Sequence, residues 1–139
     1  LSKTPPRLIT TAHEVEVGTS GGITVMGTFA AFAGSALVAI TALITSYQLL
    51  IPNPFIISLM IAVVGLLASL FDSVLGATVQ AIYYCDHCRK ETERHPQHLC
   101  GAITRPLRGW RWLDNDMVNF LATLAGAAIS AALFLIFHF

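Results

Sequence analysis

The sequence from Ile23 to Leu50 reads ITVMGTFAAFAGSALVAITALITSYQLL and contains no charged residue. A run of about 18 or more uncharged, mostly apolar residues is typical of a membrane-spanning helix. The uncharged stretch extends further, because no Asp, Glu, Lys, Arg or His occurs between Val17 and Phe71. This stretch predicts the fold class, an all-α polytopic membrane protein.

The composition agrees with that class. Hydrophobic residues make up 55% of the 139 residues and charged residues only 12%, against roughly 45–50% and about 25% in soluble domains. The charged residues cluster in 1–16 and 86–116, and Asp72 alone lies outside both clusters. An ordinary soluble domain and a disordered chain are excluded, and the absence of a charged tail gives no indication of nucleic-acid binding.

Three stretches are long enough to cross a bilayer, which takes about 20 residues. They are Ile23–Leu50, Phe55–Tyr84 and Met117–Phe139. The link between the first two is short and contains two prolines, which end a helix, so these spans form a tight hairpin. The predicted organisation is an N-terminal segment with a glycine loop (1–22), a two-span helical hairpin (23–84), a Cys/His loop (85–116) and a third span (117–139).

The basic residues predict the orientation. All eight Lys and Arg residues lie either before the first span or between the second and third spans. The positive-inside rule assigns that side of the membrane to the cytoplasm. We therefore expect a multi-pass protein whose N-terminus and 85–116 loop are cytoplasmic.

Asp72 is the only charged residue within a predicted span. Such a residue usually faces a partner or a water-filled cavity. With Gly76, Gln80 and Tyr83 it forms a polar stripe at helical spacing, near the cytoplasmic end of the second span. A structural Asp that is hydrogen-bonded or reaches the interface is the alternative.

A second polar group opens the third span. Asp114, Asn115 and Asp116 precede it, and Asn119 follows one turn later. Capping of the helix by Asp114 alone is one interpretation. The other is a site for Mg²⁺ bridging to a substrate phosphate, because Mg²⁺ prefers oxygen ligands.

A glycine-rich segment, Gly18-Thr19-Ser20-Gly21-Gly22, precedes the first span. Backbone N–H groups and the helix dipole at such a position favour an anion. Lys3 and Arg7 lie nearby in sequence as phosphate partners. A flexible entry to the helix is the alternative interpretation.

All three cysteines lie in the 85–116 loop. Cys85 and Cys88 form a Cys-x₂-Cys pair, and His98 and Cys100 follow as His-x-Cys. This set supplies four ligands for a structural zinc ion, with His95 as the substitute for His98. Metal-free thiols and a redox role remain open, whereas a stable disulfide is not expected in a reducing compartment.

Five segments, taken in order, resemble a single family over nearly the whole chain. The family is the integral membrane family that contains the phytyl-phosphate kinases of plants and cyanobacteria, distantly similar to dolichol kinases and CTP-dependent lipid cytidylyltransferases. Its members are longer and carry further N-terminal spans and an acidic motif upstream, so the chain looks like the C-terminal portion. The matching segments are Lys3–Thr10, Gly18–Thr24, Asp72–Ala77, the loop with Cys85, Cys88, His98 and Cys100, and Trp112–Asn119.

The resemblance implies an enzyme that transfers a phosphoryl group from CTP or a similar nucleotide to an isoprenoid phosphate. It implies Mg²⁺ as the catalytic ion beside the structural Zn²⁺. The implied roles are Mg²⁺ binding by Asp72, Asp114 and Asp116, and substrate binding by Lys3, Arg7, Gly18, Thr19, Gly21, Gly22, Gln80, Asn115 and Asn119. The expected partners are membrane lipid, a nucleoside triphosphate, a prenyl phosphate and the upstream half of the same protein. A homo-oligomer is left open.

Two other classes of function compete with the enzyme. In an ion or small-solute transporter or channel component, Asp72 would bind an ion in transit. The absence of a charged residue at the midplane of any span argues against this class. A non-catalytic membrane assembly subunit is the third hypothesis.

Overall fold

The computed structural model describes residues 4–137. Three helices dominate it: α1 (Val25–Gln48), α2 (Pro54–Thr78) and α3 (Asn115–Phe137). With 23 to 25 residues each, they are long and apolar enough to span a membrane. Many large apolar side chains on these helices are exposed, among them Leu37, Phe55 and Leu135, as expected for helices in contact with lipid. The prediction of three spanning helices is confirmed.

The turn between α1 and α2 contains two residues in the left-handed backbone region. Leu50 and Asn53 both have positive φ, at 54° and 52°. Pro54 is the first residue of α2, a position where its missing N–H costs no helical hydrogen bond. The proline therefore starts the second helix at this turn.

Polar side chains inside α1 and α2 satisfy their hydrogen bonds locally. The hydroxyls of Ser35, Thr41, Thr45 and Ser58 each donate to the carbonyl four residues earlier, at 2.8–3.0 Å. In a bilayer core, where water is absent, such internal bonds make a hydroxyl tolerable.

The chain folds into two compact units. One unit consists of Val25–Phe71 and Ala122–Phe139. Inside it, small residues permit close helix packing, because a Cβ added at Gly65 would lie 2.8 Å from the Ser35 Cβ. A Cβ added at Gly126 would lie 3.2 Å from the Ala68 Cβ. Small residues at helix interfaces have this role in membranes generally.

The other unit consists of Leu1–Thr24 and Asp72–Leu121, and it corrects the all-α prediction because it contains strands. An N-terminal hairpin pairs β1 (Arg7–Leu8) with β2 (Gly22–Ile23). A three-stranded antiparallel sheet has the order β4-β3-β5. Its strands are β3 (Ile82–Cys85), β4 (Lys90–Thr92) and β5 (Arg105–Arg108).

The strand β3 also corrects the end of the second predicted span. That span continued to Tyr84, whereas α2 ends at Thr78 and the chain then enters the sheet. Ile82 and Tyr83 are apolar enough to extend a hydrophobic run, but they are buried inside the unit, at 2% and 7% exposure. An apolar run of this length does not distinguish a buried strand from a helix end.

Candidate functional site

The glycine segment packs directly on the last turn of α2. The Ser20 hydroxyl donates a 2.7 Å hydrogen bond to the Gln80 side-chain oxygen. Gly21 has φ +79°, and a Cβ on it would overlap the backbone of Ala77. A Cβ on Gly76 would lie 2.8 Å from the Ser20 Oγ. Glycine at these positions permits an approach that no other residue allows.

Gln80 joins this contact to the sheet. Its side chain is almost fully buried, at 2% exposure, and its amide nitrogen donates a 2.9 Å hydrogen bond to the Glu93 Oε1. A buried amide with both ends bonded is held in one orientation. Gln80, predicted as a substrate-binding residue, therefore connects the glycine segment to Glu93.

Asp72 lies within α2, eight residues before Gln80, and is half-buried. Glu93 did not stand out in the sequence, because its role depends on a hydrogen bond to a residue 13 positions earlier. The structure thus brings the Glu93 carboxylate to Gln80, at the end of the helix that carries Asp72.

The entry to α3 is fixed against the end of α2 by backbone hydrogen bonds. The Ala81 N–H donates to the Leu113 carbonyl at 2.7 Å, and the Trp110 N–H donates to the Val79 carbonyl at 2.9 Å. Gly109 permits this contact, because a Cβ there would overlap the Gln80 backbone. Leu113 is 1% exposed and anchors the segment.

Asp114 caps α3. Its Oδ1 accepts a 2.9 Å hydrogen bond from the Met117 N–H, the N-cap arrangement that the sequence offered as one interpretation. Asn115 and Asp116 follow in the first turn with exposed side chains, and Asn119 is exposed one turn later. All of them belong to the same compact unit as Asp72.

The predicted phosphate partners differ in their surroundings. Arg7 donates to the Glu14 carboxylate at 3.1 Å, and both side chains are about 60% exposed. Lys3 lies outside the described residues. Gly18 and Thr19 lie in the turn that leads to Ser20, where the Gly22 N–H donates to the Thr19 carbonyl at 3.0 Å.

Arg108 was not predicted as a site residue. Its guanidinium donates to the carbonyls of Gly76 and Ala77, at 3.2 and 3.1 Å. These carbonyls belong to the last turn of α2, where a positive charge is favourable. No local sequence signal identifies a contact that joins residues more than 30 positions apart.

The predicted metal ligands come together in space. The donor atoms of Cys85, Cys88, His98 and Cys100 all lie within 4.8 Å of one another. The Cys85 and Cys100 sulfurs are 3.6 Å apart, and the His98 Nδ1 lies 3.5 Å from the Cys88 sulfur and 3.2 Å from the Cys100 sulfur. Tetrahedral zinc, with bonds of about 2.3 Å to sulfur and about 2.0 Å to nitrogen, requires edges of about 3.5–3.8 Å. The set could therefore hold a metal ion such as zinc.

The alternative ligand His95 has another role. Its ring stacks on Tyr83, with the ring centroids 4.4 Å apart. Among the described residues, the group of side chains that could hold a metal ion includes His98 and does not include His95. The structure therefore favours His98 between the two histidines that the sequence left open.

The thiols of this set differ in acidity. A hydrogen bond with His98 lowers the pKa of Cys100 to about 6. Hydrogen bonding to the Cys100 sulfur, together with burial, raises the pKa of Cys88 to about 11. A thiol with a lowered pKa is a thiolate at neutral pH, which is the form that binds metals.

Most of the chain is similar to known proteins. Residues 1–127 match the family described as integral membrane protein DUF92. Protein PGR of Arabidopsis thaliana is 37% identical over 131 residues, which cover 89% of this chain and 43% of that protein. The chain thus spans less than half the length of this relative. No solved structure matches it significantly.

Proposed function

The chain belongs to the DUF92 family of integral membrane proteins, and from that premise we propose that it forms part of a membrane-bound phosphotransferase. The proposed reaction moves a phosphoryl group from CTP or a similar nucleoside triphosphate to an isoprenoid phosphate of the phytyl type. The five ordered motifs that resemble the phytyl-phosphate kinase family support this choice.

The reaction balances without a further reactant. An oxygen of the prenyl phosphate forms a bond to the terminal phosphorus of the nucleotide, and the bond from that phosphorus to the bridging oxygen breaks. The products are a prenyl diphosphate and a nucleoside diphosphate. Such a reaction requires positioning of the reactants and stabilisation of charge more than covalent chemistry by the protein.

One observation carries the proposal: a glycine segment lies against the polar face of α2 that includes Asp72. The segment supplies Ser20 and Gly21, the helix supplies Gly76, and the buried Gln80 follows the end of the helix. Backbone N–H groups in a glycine turn suit phosphate oxygens, and a carboxylate nearby suits the metal ion that accompanies them. The prenyl tail would lie among the membrane-spanning helices, so the acceptor phosphate would reach the membrane depth of the glycine segment.

Mg²⁺ is the proposed catalytic ion, with Asp72, Asp114 and Asp116 as its carboxylate ligands. Their oxygens are the ligand type that Mg²⁺ prefers. One oxygen of Asp114 already accepts the capping hydrogen bond, which leaves its other oxygen for a metal. When bound, the ion would neutralise phosphate charge, while Asn115 and Asn119 would orient the substrate.

The basic residues of the N-terminal segment are the proposed phosphate contacts. Arg7 forms an exposed ion pair with Glu14, and exposed pairs contribute only about 0–1 kcal/mol, so this pair can open for a ligand. The positive-inside rule supports a cytoplasmic location for residues 1–22 and 85–116. Zinc in the Cys/His set would stabilise the fold of the loop. It would take no part in the reaction, since a closed four-ligand site leaves no position for a substrate.

The test is transfer of label from γ-labelled CTP to phytyl phosphate by the full-length protein in the presence of Mg²⁺. Asp72→Asn should reduce turnover by about 10²-fold or more, as expected when an electrostatic contact to the reacting groups is lost. Asp86→Asn is the matched control, because Asp86 pairs with Arg105 on the surface. Retention of more than about a tenth of the activity by Asp72→Asn would remove Asp72 from the metal site.

The activity of the wild-type protein tests the proposed reaction itself. If no nucleotide and no prenyl phosphate gives a labelled lipid, the proposed reaction is wrong. Ion flux in liposomes that contain the same preparation would then assign the protein to the transporter class.

A further inference from the structure

A cleft of about 850 Å³ lies between the N-terminal segment and the sheet. The turn at Glu16–Thr19 lines one side, and the stretch from Arg89 to Arg94, which includes β4, lines the other. Every lining residue belongs to the unit that contains Asp72. None belongs to α1, α2 or α3, so the cleft lies in the part of the chain expected to face water.

The sheet side of the cleft carries three cations, Arg89, Lys90 and Arg94. Among residues 4–137, the ion pairs are Arg7 with Glu14 and Arg105 with Asp86. The three cations in the cleft therefore have no carboxylate partner within that range. Arg and Lys side chains form strong, charge-assisted hydrogen bonds with phosphate oxygens, and these three are not already paired with a carboxylate among the described residues.

The opposite side offers backbone groups. Gly18 has φ +95°, and nothing lies within 4 Å of the position where its side chain would begin. Thr19 follows it in the cleft wall. A ligand could approach the main chain closely at this turn.

Carboxylates also line the cleft, and they restrict the kind of anion that the cleft could bind. Glu14 is paired with Arg7 and Glu93 is bonded to Gln80, whereas Glu16 and Glu91 form no ion pair among residues 4–137. These carboxylates repel an anion without a metal ion. A polyphosphate that carries Mg²⁺ can interact with both kinds of residue, because its phosphates pair with the cations and its metal ion accepts carboxylate or water oxygens as ligands.

We propose that this cleft binds the donor nucleotide as its magnesium complex. Arg89, Lys90 and Arg94 would contact the phosphates, and Gly18 would leave its main chain open to the ligand. The inference rests on the proposed function and names the donor site within it. The volume suits a nucleotide, since sites for ligands of that size measure about 300–1,000 Å³, far more than a single phosphate needs.

The position of Glu93 links the cleft to the reaction. Glu93 lines the cleft and accepts a hydrogen bond from Gln80, which directly follows α2, the helix that carries Asp72. A nucleotide whose terminal phosphate points to Glu93 would therefore present it at the end of α2, the helix that carries Asp72. The lipid phosphate would reach the site from the membrane-spanning helices. The donor nucleotide and the acceptor lipid would therefore occupy different places.

The experiment measures equilibrium binding of radiolabelled CTP and ATP, each with Mg²⁺, to the full-length protein in detergent. Lys90→Gln and Arg94→Gln should each weaken nucleotide binding about tenfold, as expected for a lost charged hydrogen bond. Arg89→Gln removes the third cation of the sheet side and should weaken binding too. Arg111→Gln, an exposed arginine outside the cleft, is the matched control and should bind as the wild type does.

Two further measurements separate the outcomes. The zinc content of each variant should equal that of the wild type, which shows that the loop is folded. Phytyl phosphate should bind equally well to all of these proteins and should not displace the nucleotide. Unchanged nucleotide affinity in all three cleft variants, or displacement of nucleotide by phytyl phosphate, would overturn the inference.

The same data distinguish this inference from the proposed function. If the cleft variants bind nucleotide normally and the wild type transfers label to lipid, the nucleotide lies elsewhere and the proposed function stands. If nucleotide binding is lost in the cleft variants but the wild type transfers no label, the cleft site stands and the proposed function fails.

Discussion

Replacement of Cys85 by serine tests whether a metal holds the Cys/His loop together. Cys85 is 0% exposed and ends β3, the central strand of the sheet. Its sulfur lies 3.6 Å from the Cys100 sulfur. The substitution removes one of four zinc ligands and changes the side chain by a single atom.

The expected effect is large, because the loop has little else to stabilise it. Besides Cys85 itself, the buried apolar side chains of residues 82–108 are those of Ile82 and Tyr83. Structural zinc provides about 10–16 kcal/mol in zinc-finger peptides at neutral pH, whereas whole domains are stable by only about 5–15 kcal/mol. Without the metal, residues 82–108 should lose their sheet, while the three long helices should persist.

The assay combines metal analysis, hydrogen exchange and circular dichroism on protein purified in detergent. The wild type should contain one zinc ion per chain and show slow amide exchange in β3. Cys85→Ser should contain no zinc after dialysis against a chelator and exchange rapidly there, with unchanged helical signal. His95→Ala is the matched control, because His95 stacks on Tyr83 outside the ligand set, and it should keep its zinc.

Two results would refute this reasoning. One is a folded wild type without metal, in which all three thiols react freely with a thiol reagent. The other is a Cys85→Ser variant that retains stoichiometric zinc and slow exchange in β3.

Three further predictions concern the glycine segment, the helix cap and the thiols. Gly21→Ala should destabilise the protein by about 1–3 kcal/mol more than Gly18→Ala, because only the first adds an overlap to the strain of a positive φ; equal shifts of the unfolding temperature would contradict this. Asp114→Ala should cost about 1 kcal/mol and Asp114→Ser should restore the cap; activity that returns with serine would assign Asp114 to capping alone. In metal-free protein, alkylation of Cys100 should be fast at neutral pH and slow as the pH falls through about 6, since the thiolate is the reactive form; a rate that already declines below about pH 9 would indicate an ordinary thiol.

The membrane class of this protein could be predicted from the sequence because that prediction depends on run length and charge alone. An uncharged run from Val17 to Phe71 has no stable place in a soluble domain of this size. The Cys/His set could also be predicted, because zinc ligands recur at short spacings along a chain. Both signals are local and need no knowledge of the tertiary structure.

The strands were missed because their residues do not alternate in a recognisable pattern. β5 has the sequence Arg-Pro-Leu-Arg, and β3 continues an apolar run from the preceding helix. Pairing with β4 and β5 satisfies the backbone groups of β3, and burial of Ile82 stabilises it. Such pairing depends on residues that lie as many as 26 positions apart, as with Ile82 and Arg108.

The sequence by itself determined the three membrane-spanning helices, the polar residues near their ends and the four donors for a metal. Only the tertiary structure selected His98 over His95, gave Gln80 its two hydrogen bonds and brought Glu93 to the end of α2. It also opened a cleft between the glycine segment and the sheet. The physical reason is that helix formation and ligand spacing are local properties of a chain, whereas hydrogen bonds between distant side chains exist only after the backbone has brought them together.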